Sequence, residues 1–396
     1  MPVNYAYTHQ RPDGNRYLGG KGDLPNTKTL DISLAGQPRW LVSAPFKSGS
    51  IWVVVLEDGT TQAFMVADGQ AAKTAISPAY IPSGGPPLLT VSGDEAYLIA
   101  APSELASQLT HPVPLGDSGR LAFIESGGDL VVWKDGAESG RLPVDALPDA
   151  RLLVDDQERV LLLTKPSTRY PHGIAGDKLE ATEITLLATK PVLKVLTSIA
   201  ISGQTVVEGV SPIWGDLNGD GQREIIVTQS DAEQGAQVVV YSESGDLIAA
   251  GPAVGRGNRW RHQLAVAPFG ADGETELVEV LTPHIGGIAG FYQLNGSSLE
   301  LVVQQDGVTS HPLGTRNLDM GLAGDLDGDG QPELVVFNQQ FSVVTALRRT
   351  KDGIETAWQT PVGGKAATNL AAVDFGDEII LGVGREDGVL RIWLAR

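Results

Sequence analysis

No cysteine occurs in the 396 residues, which excludes disulfides, a thiol nucleophile and any thiolate metal site. No apolar run approaches the roughly 18 residues that cross a bilayer as a helix, so membrane insertion is not expected. Positive charge is scarce: 29 Lys and Arg stand against 48 Asp and Glu, for a net charge of −19. Nucleic acid and anionic membrane surfaces both call for a basic footprint, so neither is expected as a partner; the acidity reads as solubility. Gly-x-Ser-x-Gly, His-Glu-x-x-His and a phosphate-cradling glycine loop followed by Lys are all missing. The first residues, Met1-Pro2-Val3-Asn4-Tyr5-Ala6-Tyr7, lack the basic and apolar regions of a leader. The location expected is therefore cytoplasmic, or secreted or periplasmic if a leader has been removed. Helical periodicity is also nearly absent, with only two weak stretches near Glu104–Leu109 and Lys178–Thr182.

What the chain does have is glycine (48), proline (24) and short β-branched, apolar runs separated by turn signals. That is an all-β profile. Two acidic segments dominate it. Asp216, Asn218, Asp220, Gln222 and Glu224 fall at positions 1, 3, 5, 7 and 9 of one loop; Asp325, Asp327, Asp329, Gln331 and Glu333 fall at the same positions of a second. Glycine at position 6 allows the sharp turn, and oxygen ligands at this spacing suit a hard cation such as calcium, with residue 7 giving its carbonyl. Apolar residues before each loop (Ile213-Trp214; Leu322-Ala323) and apolar runs after it (Ile225-Ile226-Val227; Leu334-Val335-Val336-Phe337) set each loop between two strands. An EF-hand would flank it with helices.

Alignment on the loop glycine exposes a repeat. Gly221, Gly273 and Gly330 are 52 and 57 residues apart. The middle copy keeps only Asp272 and Glu276, and a fourth around Asp374 and Asp377 is shortened, so neither retains enough ligands for a metal. A period of this length with several short strands per unit indicates a β-propeller. The expectation is an all-β, single-domain propeller over residues 1–396, with six to eight four-stranded antiparallel blades and seven adopted. Approximate blades are 28–67, 85–146, 150–204, 207–250, 260–305, 316–361 and 369–396, and 85–146 is long enough to hide another. The strand 3–8 is an orphan, and its pairing with the three-stranded last unit would close the ring.

The pattern apolar–Gly–Asp–x–(Asp/Asn)–Gly–Asp–Gly–x–x–Glu–apolar resembles the FG-GAP and VCBS repeats of bacterial propellers and the loops of the integrin α-subunit propeller. The resemblance covers about 200 residues, two copies closely and two in degenerate form. It implies two structural calcium sites between first and second strands, and it leaves function open among adhesion, lectin-like and lyase proteins.

If those loops occupy one rim, ligands belong on the opposite rim. His262 lies at the start of an inner strand, His284 and His172 follow second strands, and His311 precedes the next inner strand together with Arg316, Asn317 and Asp319; only His9 and His111 fall elsewhere. With Tyr170, Arg169, Arg259, Arg261 and Arg316 nearby, this mouth would suit an anionic ligand, and its histidines could also hold a transition metal. The first reading is a calcium-stabilised propeller that binds a carbohydrate or protein ligand opposite the calcium loops. The alternative is a lyase or hydrolase acting on an anionic saccharide, with His172, His262 or His284 as base or metal ligand, Tyr170 as acid and Arg259 or Arg261 as charge clamp. That alternative requires these groups to converge.

Overall fold

In the computed structural model, residues 3–102, 104–116 and 118–394 are described. Met1, Pro2, Ser103, Asp117, Ala395 and Arg396 belong to the expected domain but lie outside the described residues. The fold is an all-β propeller; 33 strands and no helix occur among the described residues. Neither weak helical stretch forms a helix. Glu104–Leu109 makes turns, and Lys178–Thr182 runs into the strand Glu180–Ala188, where β-branched Thr182, Ile184 and Thr185 favour the extended chain.

The strands group into eight antiparallel blades, the upper end of the expected range rather than seven. The stretch taken as one blade over 85–146 contains two. Leu88–Ser92 and Glu95–Leu98 belong to the second blade, and Val113–Pro143 supplies the whole third. A strand is also imported: Val3–Tyr7 pairs antiparallel with Leu88–Ser92 as the innermost strand of blade 2. The orphan strand therefore does not close the ring. Closure comes from Lys28–Ser33, which pairs antiparallel with Val389–Leu394 as the outer strand of blade 8. The 28–33 stretch that was expected to open blade 1 is thus moved to the last blade, and blade 1 is Pro38–Thr74. Leu30 and Ile32, on one face of this alternating strand, pack into the core shared by blades 8 and 1, while its other residues face water.

Neighbouring blades share apolar clusters around the ring, so inner strands are covered on both faces. This is why Gly49–Leu56 reads as a near-continuous apolar run whereas outer strands such as Gln70–Thr74 are polar and exposed.

Between blade 2 and its own strand in blade 8, the N-terminal segment runs along the inside of the ring. Its backbone meets four successive inner strands: Pro12 accepts from Val154, Asp13 from Trp214, Arg16 donates to Leu264 and accepts from Ala323. Asn15 makes a two-way bond with Val266. Tyr17–Lys21 then lies parallel to Leu322–Asp325. Most of these meeting points fall toward the ends of inner strands that lead into the calcium-type loops, so the strap lines the channel on that side.

Candidate functional site

The two acidic loops share a backbone hydrogen-bond pattern, but only the second gathers its carboxylates within 4.8 Å of one another. In the first, Asp216 accepts from the backbone N–H groups of Gly219 (2.7 Å) and Gly221 (2.9 Å), and Glu224 reaches back to Leu217 N (2.7 Å). In the second, Asp325 accepts from Gly330 N (3.0 Å) and Glu333 from Leu326 N (2.9 Å). Gly221 and Gly330 have φ of +84° and +94°, the left-handed conformation for which glycine is favoured. Asp325, Asp327, Asp329 and Glu333 bring one ligand oxygen each within 4.8 Å of one another and could hold a metal ion. Among the described residues this is the only group of three or more carboxylates or imidazoles gathered so closely. Asp325 is buried, and its Oδ1 has no hydrogen-bond partner. Burial pushes the Glu333 carboxyl up to about 8, with Asp327 adding to the effect.

One residue in the second loop carried no signal in the sequence pattern. Arg348, opposite Glu333 on the next strand, places its guanidinium against Asp327, Asp329 (3.0 Å) and Glu333 (3.0 Å). The first loop has Ser242 at that register position. In the middle degenerate copy, Arg349 from the neighbouring blade bonds buried Glu276 at 3.2 Å. In the fourth copy the strap substitutes, and Asp374 accepts Gly20 N–H at 2.9 Å.

The rim of the acidic loops, opposite the one expected to take ligands, carries a cavity of its own. Asp216, Gly221 and Gln222 border a polar cleft of about 630 Å³, shared with Asp13, Asn15 and Tyr17 of the strap.

On the other face the four singled-out histidines converge. His284 Nε2 lies 2.7 Å from His311 Nε2. His311 Nδ1 is 3.3 Å from Ser310 Oγ, and the same hydroxyl lies 2.7 Å from His262 Nδ1. Because one hydroxyl gives one proton, Ser310 donates to one ring and accepts from the other, which couples the tautomers of the two histidines. Trp260 stacks on His262 with centroids 4.7 Å apart. Burial lowers the pKa of all three rings, His284 to about 4, so they are neutral at pH 7. His172 joins the same cleft with Nδ1 held 2.5 Å from Glu208 Oε1, and Ser230 bonds the other Glu208 oxygen. The cleft, about 510 Å³, is walled by His172, Arg259, Trp260, His284, His311 and Phe341 among others. His262 lies behind it, wholly buried, with Nε2 unpartnered.

The basic mouth is not there. Arg261 is buried against Glu279 and Tyr292, because it starts an inner strand and its side chain points into the blade. Arg316 is held by Asp149 (2.8 Å) and Asp177 (2.5 Å), and Arg169 donates to the carbonyls of Ile201 and Thr205. Arg259 alone of the four is exposed and without a partner among the described residues. Tyr170 is buried edge-on against His172; its hydroxyl is unpartnered, and burial pushes its pKa up to about 12.

Asp319, expected near this mouth, is inside the channel. Its carboxylate accepts from Thr8 (2.6 Å), Arg16 (3.1 Å) and Arg151 (2.5 Å), and Arg151 also touches His9 Nδ1 at 3.1 Å. This ion cluster ties the strap to blades 4 and 7.

No family model matches the chain, and no match is found among curated proteins. Solved structures do match. A quinohemoprotein alcohol dehydrogenase from Comamonas testosteroni aligns over 98% of this chain and 80% of its own with a TM-score of 0.60 at 9% identity. BBS1N, solved in complex with ARL6DN, aligns over 94% and 98% with a TM-score of 0.49 at 9% identity. The WD40 β-propeller domain of Doa1 aligns over 93% and 95% with a TM-score of 0.40 at 13% identity. The likeness to the dehydrogenase shows the fold alone.

Glu208 and Ser310, which orient the cleft histidines, were not found from sequence. Glu208 had a usable signal, a lone carboxylate inside an apolar inner strand; Ser310 had none beyond adjacency to His311.

Proposed function

We propose that this chain is a calcium-stabilised β-propeller that binds its ligand in the histidine cleft, opposite the calcium loops. Calcium is assigned to Asp325, Asp327, Asp329, Glu333 and the Gln331 carbonyl, and to the equivalent Asp216, Asn218, Asp220, Gln222 and Glu224. All-oxygen ligands in a flexible loop suit this ion. Its role is to pin strand to strand: each loop joins the first two strands of a blade.

The observation that carries the binding reading is the convergence of His172, His284 and His311, from loops of three blades, on one cleft with Arg259 unpaired at its edge. The neutral His284 and His311 rings supply hydrogen bonds, and the free guanidinium meets an acidic group, so the ligand is a carbohydrate or protein chain presenting a carboxylate. Titration of the calcium-loaded protein with glucuronate and with acetate, read from histidine ring signals in long-range 1H–15N spectra, tests this. Signals of His172, His284 and His311 should move while those of buried His9 and His111 stay, and Arg259→Gln should weaken the response. Unmoved cleft histidines with both probes would remove the reading.

One contact favours a second reading, catalysis. Glu208 on His172 Nδ1 orients that ring and leaves Nε2 to act as a base. A lyase acting on an anionic saccharide would use His172 in that role and Arg259 as the clamp. Tyr170, with its hydroxyl buried behind the His172 ring, is poorly placed as the acid. Release of unsaturated sugar by the parent and its loss in Glu208→Gln would favour catalysis over binding.

A further inference from the structure

We propose that His284 and His311 form a binding site for a divalent transition metal at the floor of the histidine cleft. The inference concerns the cleft read above as the ligand site and rests on that reading for its purpose, but its geometry stands on its own.

Two imidazole Nε2 atoms face each other at 2.7 Å, brought from different blades: His284 from the loop after Glu276–Leu281, His311 from the segment leading to Leu322–Asp325. A metal between them needs both lone pairs. With tetrahedral bonds of about 2.0–2.1 Å the nitrogens would sit roughly 3.3 Å apart, so the pair must open by about 0.6 Å from its 2.7 Å separation. The loop carrying His284 can supply that movement: His284 is only partly buried, and neighbouring Ile285 is exposed.

The proton balance closes without net release. In the hydrogen-bonded pair one Nε2 carries a proton. If it is on His311, that ring changes tautomer, exchanging Nε2–H for Nδ1–H through solvent, and Ser310 Oγ is in place to accept the new Nδ1–H. Ser310 then donates its own proton to His262 Nδ1, which leaves His262 as the Nε2–H tautomer. If the proton starts on His284, it moves to Nδ1 of that ring. An outer hydrogen bond that fixes the tautomer of a ligating histidine is the usual support of a metal site. His262 thus acts as a positioning residue two bonds removed.

Two protein ligands leave coordination positions open toward the cleft. His172, fixed by Glu208, stands on another wall of the same cleft, outside the close cluster, where its Nε2 can bond to a metal-bound water or to the ligand. The site chemistry, imidazole nitrogen with open positions, suits zinc, cobalt, nickel or copper rather than calcium.

The test is titration of the full chain with Co2+ alone, with calcium saturating so that the carboxylate loops are filled. The parent should bind about one equivalent with visible bands of nitrogen coordination, and His284 and His311 ring signals should broaden while those of His9 and His111 stay sharp. His284→Gln, in a loop and partly exposed, should leave thermal unfolding near that of the parent and lose at least about tenfold in Co2+ affinity; Ser310→Ala should lose about tenfold through the outer bond. The proposal is overturned if the parent takes up no cobalt beyond the calcium loops, or if His284→Gln binds it equally well. Glucuronate or acetate binding by the metal-free protein would persist in that case, which separates failure of the metal site from failure of the ligand cleft.

Discussion

Replacing Asp319 with Asn should cost the protein about 3–5 kcal/mol, because the channel holds two guanidiniums and one carboxylate where water cannot reach. Asp319 and its partners Arg16 and Arg151 expose between 0% and 5% of their side chains. Burial alone would raise the Asp319 pKa, but the charges of Arg151 and Arg16 outweigh it and hold the group well below the usual carboxylate range. Asn keeps the volume and one acceptor oxygen. It removes the charge and turns an amide N–H2 toward groups that are themselves donors, so two buried cations are left without a counter-ion. For a chain of 396 residues the unfolding entropy is about 0.8 kcal/mol/K, so the melting temperature should fall by about 4–6 °C. Urea unfolding followed by near-UV circular dichroism at pH 7 measures the loss. Thr8→Val, which removes a single hydrogen bond to the same carboxylate, should cost only about 1 kcal/mol. Arg16→Met added to Asp319→Asn should recover part of the loss by removing one orphaned charge. The sign with pH follows from the depressed pKa. The stabilisation is fully present above the unfolded value near 3.8 and disappears as pH falls below it, so parent and variant should converge in acid. A loss within about 1 kcal/mol at neutral pH, or one that grows on acidification, would refute the account of this cluster.

Calcium should raise the melting temperature of the parent, and Asp216→Ala combined with Asp325→Ala should abolish that rise in differential scanning calorimetry. Arg348 competes for the carboxylates of the second loop, so Arg348→Gln should tighten calcium binding there; weaker binding by calorimetric titration would contradict that role. Burial first, and then the charge of Glu208, push the Glu180 carboxyl up to about 9. An acid with a raised folded pKa loses stability as pH climbs from its unfolded value, so Glu180→Gln should stabilise by up to about 3 kcal/mol at pH 7 and very little at pH 4.5. Ser33 and Val389 are register partners in a cysteine-free chain, so Ser33→Cys with Val389→Cys should form a disulfide on mild oxidation and resist unfolding by up to about 4 kcal/mol; failure to cross-link would contradict the closing strand.

Local signals carried much of this protein's description. The propeller was legible because its repeat is written in features that act within one blade: oxygen side chains at alternate loop positions, a glycine where φ must be positive, and apolar runs for strands covered on both faces. The shared face of His172, His262, His284 and His311 was legible too, since strand order within a blade fixes which loops share a rim. Tertiary structure alone decided what depends on contacts between distant segments. Val3–Tyr7 and Lys28–Ser33 are both short alternating strands, and nothing local states which closes the ring and which enters blade 2; pairing partners some 85 and 360 residues away decide it. The arginines make the same point. Arg169, Arg259, Arg261 and Arg316 look alike along the chain, yet three are taken up by carboxylates or carbonyls that folding brings near, leaving Arg259 unpaired among the described residues. Side-chain type sets what a residue can bond to, and only the packed ring determines which bonds are already made.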